Sequence, residues 1–543
     1  MGFSLKHILT AIIICTVLLP VADGYNILLT LYGVSGSQST FIYRMGELFA
    51  TAGHDVTILR TEFAEGMSKA PKRSLIAREY VNQVIKDPVE QKQFKGFLGE
   101  ASFEEDTQIS IAKIKQFFEV GRTLTTRACG SLLDNKQLMT QLKSRKFDVM
   151  VIHMVDACGL GLAHVLGINA TIKLSTAYMV EFLAWNAGAP WPIAALPASN
   201  HHTMDQMGLM ERIKNLFCYG SLQVMYNGVL LPVITSVYRQ RYGPTFPSIN
   251  SLIRNVQLFF VNADPLIDFA RPKMPNTVFV GGFMMENKTK KALPQEWDAI
   301  ANSPMARKHG FIIFSFGSVV NPRYIPHELK MTYFKAFRRL KQEVIWRYED
   351  DFPEAVGTNV HTTVWMPQAD LLQHENIVTF MTHAGFNSIL ESSYAGVPLV
   401  MTPFFGDQQT NAKRVERLGY GVTLNRGDVT EDSVYQTLTR VITDKRYKQN
   451  AKRISQMLAK KPVSNRENCL RWMEFLAEFG SIPNYKSPAV HDLYLFQYLL
   501  FDVMLFCCAV MIVMAVLWYK AVIFCVFRLF GRNVAAKAKP KMN

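Results

Sequence analysis

The pattern of apolar and polar positions repeats one theme twice: a short β-branched strand, a turn, and an amphipathic helix. Asn26–Tyr32 reads as a first strand, Gly33–Ser39 as a loop, and the next segment as a helix ending near Gly53. Asp55–Arg60, Val149–Ile152, Thr171–Leu174 and Val256–Val261 read as further core strands. Residues 62–145 are charged and mostly helical in pattern, and Trp185–Pro197 reads as an irregular apolar segment. The first set closes near Phe279–Gly282, where a polar linker with Pro294 and Pro304 begins. The second set has a strand Phe311–Phe316, a tight turn at Gly317–Ser318, a helix Pro326–Lys341, and strands Val344–Tyr348 and Ile377–Thr382. The strand runs are continuously apolar rather than alternating, as parallel strands covered on both faces require. The expected fold class is therefore α/β, with two parallel-sheet domains, 25–283 and 284–485. Ligands in such sheets bind beyond the C-terminal strand ends, so two facing domains form a cleft.

The two ends of the chain change this picture. Residues 1–24 have the form of a signal peptide: Lys6 and His7, an apolar run Ile8–Leu19, then small residues Ala22 and Gly24. Residues 498–518 are long and apolar enough for a transmembrane helix, and the apolar run continues to 527 after Lys520. Residues 528–543 carry Arg528, Arg532, Lys537, Lys539 and Lys541. Positive residues stay cytoplasmic, so the expectation is a single-pass type I protein with a lumenal body. Lys539 and Lys541 either resemble a dilysine signal for the endoplasmic reticulum membrane or merely obey the charge rule.

The formal charge is +15 over 543 residues. No Lys/Arg block with interleaved aromatics accompanies it, which excludes nucleic acid as the expected partner. Of eight cysteines, Cys129, Cys158, Cys218 and Cys469 fall in the body, and Cys129 with Cys158 is the candidate disulfide. Asn169 and Asn287 open N-glycan acceptor triplets. No metal-ligand spacing occurs, and there is no Asp-x-Asp, so the expected chemistry uses neither metal nor cofactor.

The chemistry concentrates between Trp365 and Gln408. A buried strand Ile377–Thr382 runs into His383, Gly385, Asn387, Ser388 and Glu391. Gly385 lets the backbone approach a ligand, Asn387 or Ser388 is placed to cap the helix, and Gly396 and Pro398 end it. A glycine loop at a helix start makes an anion site. Glu391, one turn beyond Asn387, suits a pair of sugar hydroxyls.

Trp365-x-x-Gln368, then His383-x-Gly385-x-Asn387-Ser388-x-x-Glu391, then Asp407-Gln408, resembles the signature of the membrane-bound UDP-glucuronosyltransferase family. The similarity runs along nearly the whole chain. The resemblance implies two Rossmann-like domains of glycosyltransferase-B type: an acceptor domain first, then a domain for the UDP-sugar. It implies that Trp365 stacks on uracil, Gln368 and Glu391 hold the ribose, and Asp407 and Gln408 hold the sugar hydroxyls. Ser318, His383, Gly385, Asn387 and Ser388 are left to meet the diphosphate. The implied partners are UDP-glucuronic acid or UDP-glucose and a small lipophilic hydroxyl compound. Homo-oligomers are left open.

The resemblance breaks at the implied catalytic pair. Counted back from Gly53-His54, the family's histidine base falls on Gln38. Counted on from Phe147-Asp148, its acidic partner falls on His153. An amide takes no proton at neutral pH. Either His153 serves as base with Gln38 orienting it, or His153 is a core histidine; Asp156 is a weaker substitute. Two function classes follow: an inverting, metal-independent transferase, or a homologue that binds the UDP-sugar with little or no turnover.

Overall fold

The computed structural model describes residues 24–485 and 493–537, except 34–35, 68–74, 77, 104–110, 200, 202, 287–290, 318–321 and 351. The signal segment before Gly24, Asn287, Ser318, Lys539 and Lys541 lie outside the described residues.

Two parallel sheets form the body. The first contains β1 (Asn26–Gly33), β2 (Asp55–Glu62), β3 (Arg78–Gln83), β4 (Val149–His153), β5 (Ala170–Ser175), β6 (Leu258–Val261) and β7 (Thr277–Phe279). Its strand order is β3-β2-β1-β4-β5-β6-β7. The second contains β8 (Phe311–Ser315), β9 (Glu343–Arg347), β10 (Val360–Thr363), β11 (Ile377–Thr382), β12 (Leu399–Met401) and β13 (Gly421–Thr423), in the order β10-β9-β8-β11-β12-β13. Each sheet reverses its winding once, between β1 and β4 and between β8 and β11. That switch point is where a doubly wound sheet leaves a crevice.

Several expectations need correction. The edge strand β3, unforeseen, has four polar residues in six (REYVNQ), and the strands β7, β12 and β13 have three residues each, too short for a periodic signal. The helix after β1 spans Gly36–Thr51, so Gln38 lies in its first turn rather than in a loop. The segment Trp185–Pro197 begins inside a short helix, Glu181–Asn186.

The helices cover both sheet faces. Phe41, Ile42, Met45 and Phe49 from Gly36–Thr51 pack with Leu29, Val149 and Ile172. The same cluster includes Cys469, Met473 and Leu476 of the helix Asn465–Phe479. This last body helix thus completes the first sheet, although the chain between them belongs to the second. Glu286 seats its start, accepting from Ser464 Oγ and from the backbone N–H groups of Asn465 and Arg466. The expected disulfide is formed, joining Cys129 on the helix Ile111–Asp134 to Cys158 just beyond β4.

Residues 487–543 form a separate unit. Its helix begins at Phe501, after Leu500 adopts a left-handed φ of 58°, so the apolar helix starts three residues later than the expected 498. It continues to Lys537, and Phe501–Arg528 is a candidate transmembrane span of 28 residues.

Candidate active site

The second sheet builds one wall of a cleft. β11 ends at Thr382, and the chain turns through His383, Ala384 and Gly385 into the helix Phe386–Ala395. The N-cap is Gly385, with φ −62° and ψ 138°, and no side chain caps the helix. The expected capping by Asn387 or Ser388 is therefore wrong: both lie inside the first turn, where side chains point back along the helix. The first backbone N–H groups are left without a side-chain cap, the condition an anion site needs. Ala384 has a left-handed φ of 64°, a conformation costing an L-residue about 1 kcal/mol.

The glycines of this wall have a steric reason. A Cβ on Gly317 would lie 2.4 Å from His383 Cε1, and one on Gly385 would lie 2.4 Å from His383 Nε2. The imidazole is thus sandwiched between two bare backbones. Burial, with the nearby Arg347 cation, lowers its pKa to about 4, so the ring is neutral at pH 7. Nδ1 lies 3.2 Å from the Thr382 hydroxyl. When that hydroxyl donates, Nε2 carries the proton and becomes the donor available to an oxyanion. Arg347 is itself held by the Gly317 carbonyl at 2.8 Å and by Glu349 at 2.7 Å.

Gln368 and Glu391 come together. The amide Nε2 donates to Glu391 Oε2 at 2.6 Å, so the carboxylate is held by Gln368. Trp365 stands at the other end of this pair by chain, two-thirds exposed, and borders a hollow of about 520 Å³ along β10. Asp407 precedes the helix Gln408–Arg417 and accepts from Asn411 Nδ2 at 2.7 Å. The same Nδ2 reaches the Ala384 carbonyl at 3.1 Å, so one amide ties Asp407 to the left-handed turn. Burial raises the Asp407 pKa, and Asn411 and Arg414 oppose that rise. Gln408 is buried, and its Oε1 accepts from the backbone of Phe404 and Phe405, which fixes the loop in front of the helix.

The first sheet builds the facing wall. Asn387 Oδ1 accepts from Asn262 Nδ2 at 2.7 Å, and Asn387 Nδ2 donates to the Ser37 carbonyl at 3.3 Å. Gln38, next to Ser37, therefore stands at the junction of the walls. Asn262 also holds the Thr176 carbonyl, and the Thr176 hydroxyl lies 3.1 Å from His153 Nε2. His153 is 0% exposed at the end of β4. Burial and the Lys173 cation lower its pKa to about 3. An imidazole so depressed is neutral but weakly basic, and its ring lies inside the wall rather than on it. Asp156 is also buried; its Oδ1 accepts from Gly159 N, and burial raises its pKa. Lys173 donates to the Asp156 carbonyl at 2.8 Å, and burial lowers its pKa to about 7.

Sequence reasoning missed Asn262, Arg347, Asn411 and Arg414. Asn411 had a local signal, four residues after Asp407 on a helix. The others act across strands or lobes and leave none. Arg414 is wholly buried, with Nε on Asp268 Oδ1 of the first lobe at 2.7 Å and its guanidinium 3.9 Å from the Tyr178 ring centroid.

Residues 29–536 match the family model for UDP-glucoronosyl and UDP-glucosyl transferase. The mouse UDP-glucuronosyltransferase 1-2 is 31% identical, covering 96% of this chain and 95% of its own length. Human UDP-glucuronosyltransferase 1A1 is 32% identical over 90% of this chain and 89% of its own. Mouse 2-hydroxyacylsphingosine 1-beta-galactosyltransferase is 33% identical over 70% of this chain and 68% of its own. Among solved structures, the calicheamicin glycosyltransferase CalG4 superposes with a TM-score of 0.55 at 17% identity, over 84% of this chain and 99% of that one. The two parallel-sheet domains have the glycosyltransferase-B fold.

Proposed function

The chain belongs to the UDP-glucuronosyl and UDP-glucosyl transferase family, and from that footing we propose that it transfers glucuronic acid or glucose from UDP to a small lipophilic hydroxyl compound. Transfer inverts the anomeric centre and needs no metal. The observation that carries this reading is the wall from Gly317 to Asn411: an uncapped helix start, a neutral His383 donor and the Gln368–Glu391 pair. In this reading Trp365 stacks on uracil and Glu391 accepts from the ribose hydroxyls. The N–H groups of the helix start, with His383 and Ser318, oppose the charge that develops on departing UDP. Asp407 and Gln408 meet the sugar.

The acceptor's proton is the weak point. Gln38 cannot take it, and His153 is buried with a depressed pKa. Turnover therefore favours acceptors that ionise readily, such as phenols over aliphatic alcohols, and rises with pH. The test is UDP release with each donor against phenols of graded acidity, with and without a chelator. A slope that ignores acceptor acidity, or loss of turnover in chelator, counts against the reading.

The same two residues favour a second reading, a UDP-sugar binder with little or no turnover. It predicts donor affinity without UDP release for any acceptor. We further propose a lumenal body in the endoplasmic reticulum membrane, a cleaved signal, and N-glycans on Asn169 and Asn287. Asn169 is exposed just before β5. Protease added to sealed microsomes should remove only the basic tail, and digestion of the body would reverse the orientation.

A further inference from the structure

The helix Gln408–Arg417 carries one polar stripe that reaches the other lobe. Asp407 at its N-cap, Asn411 and Arg414 recur at i, i+4 and i+7, which puts their side chains on one face. Asn411 Nδ2 donates to Asp407 Oδ2 at 2.7 Å, and Arg414 Nη1 donates to Asn411 Oδ1 at 3.4 Å. Arg414 Nε in turn donates to Asp268 Oδ1 at 2.7 Å. One run of contacts therefore joins a carboxylate of the first lobe to Asp407, the carboxylate placed at the sugar in the proposed function.

Asp268 is the fixed end of this run. Its Oδ1 accepts from the backbone N–H of Phe269 at 2.8 Å and from Arg271 Nη2 at 3.2 Å, and Arg271 Nε lies 3.1 Å from Oδ2. Arg271 Nη1 donates to the Met179 carbonyl at 2.6 Å, and the guanidinium stands 5.0 Å from the Trp191 ring centroid. All of these are contacts within the first lobe, so the carboxylate needs nothing from the second lobe to hold its place.

Stability alone does not account for the pair. The Asp268 and Arg414 side chains are 2% and 0% exposed. A buried ion pair of this kind adds little net stability over apolar side chains of the same shape. Arg414 Nη2 is also buried without a hydrogen-bond partner among the described residues, which costs free energy. What the pair does supply is direction. The planar guanidinium holds Asp268 with one nitrogen and Asn411 with another, a bridge that a single ammonium cannot make at fixed angles. The Tyr178 ring lies against the guanidinium at 3.9 Å and keeps it from turning.

We propose that Asp268 is a positioning residue for the donor sugar: from the facing lobe it fixes Arg414 and, through Asn411, the carboxylate of Asp407. The proposal rests on the reading that Asp407 meets the sugar. It makes sugar recognition depend on the first lobe, whereas the Gln368–Glu391 pair and the His383–Thr382 contact are made inside the second.

The test is calorimetry on the full chain in detergent with UDP, UDP-glucose and UDP-glucuronic acid. Asp268→Asn removes the charge that holds Arg414 at nearly constant shape. Affinity for the sugar nucleotide that the native protein binds more tightly should fall about tenfold, as for one hydrogen bond to a charged group, while affinity for UDP holds within about twofold. Asp268→Glu keeps the charge, one methylene further out, and should show the same split to a smaller degree. Asp407→Asn tests the underlying reading separately. If it leaves UDP-sugar affinity unchanged, Asp407 does not meet the sugar, and the proposal falls with that reading. If Asp407→Asn shows the split and neither Asp268 variant does, the reading stands and the positioning role is overturned. Equal loss of UDP and UDP-sugar affinity in both Asp268 variants, or failure of both to bind UDP, also overturns it, because the contact would then serve the fold as a whole.

Discussion

The two walls of the cleft carry their chemistry differently. On the second-lobe wall, the candidate groups are buried or half-buried and are held by short contacts within the lobe: Gln368 on Glu391, Asn411 on Asp407, and His383 between two glycines. On the first-lobe wall, the titratable groups His153, Asp156 and Lys173 are withdrawn into the core, and the residue left at the junction is an amide. Both walls hold a neutral histidine, but only His383 has bare backbone on each side of its ring. The difference teaches that, under the proposed function, donor binding and proton removal can be separated in one cleft: Gln368 with Glu391 and Asn411 with Asp407 hold each other within the second lobe.

The largest effect should come from repairing the poorer wall. Gln38→His with His153→Asp creates the arrangement that the family resemblance implies and should raise turnover by about 10²-fold or more, since a positioned base contributes about 10²–10⁴-fold. Donor affinity should not change. Equal turnover in native and double-variant proteins would show that the walls do not differ in the way described.

Loosening the first lobe comes next. Cys129→Ser opens a disulfide spanning 29 residues and should lower unfolding stability by about 3 kcal/mol, read by urea denaturation. UDP affinity measured well below the unfolding midpoint should hold, because no donor-wall contact depends on that bond.

Breaking the better wall is expected to cost less energy but all of it in binding. Glu391→Ala removes the acceptor of Gln368 and, in the proposed role, of two ribose hydroxyls. Calorimetric affinity for UDP should fall by roughly 1.5–3 kcal/mol, with stability little changed. Unchanged affinity removes Glu391 from the donor site.

The smallest effect separates the two histidines. The unfolded chain protonates them near pH 6.5, whereas the folded chain resists until about 3 for His153 and about 4 for His383. Both contributions are therefore complete above pH 6.5 and are lost as pH falls towards 4. From pH 6.5 to 5.5 stability should drop by about 1 kcal/mol for each histidine. His383→Gln and His153→Gln should each flatten that slope, but only His383→Gln should also weaken UDP binding.

The sequence by itself determined the class of fold, the doubled strand–helix alternation, the apolar tail and the donor signature, because each is written in local periodicity or in a fixed spacing along the chain. Through the family resemblance it also pointed to Gln38 and His153 as positions that depart from the implied pattern. Tertiary structure decided what those positions mean. Whether His153 can act as a base depends on burial beneath Thr176 and beside Lys173, and burial is set by strands β4 and β5 lying side by side. The Asn262–Asn387 contact and the Arg414–Asp268 pair join residues 125 and 146 positions apart. No local pattern encodes such pairs, since their energy arises only when two separately folded sheets bring their strand ends together.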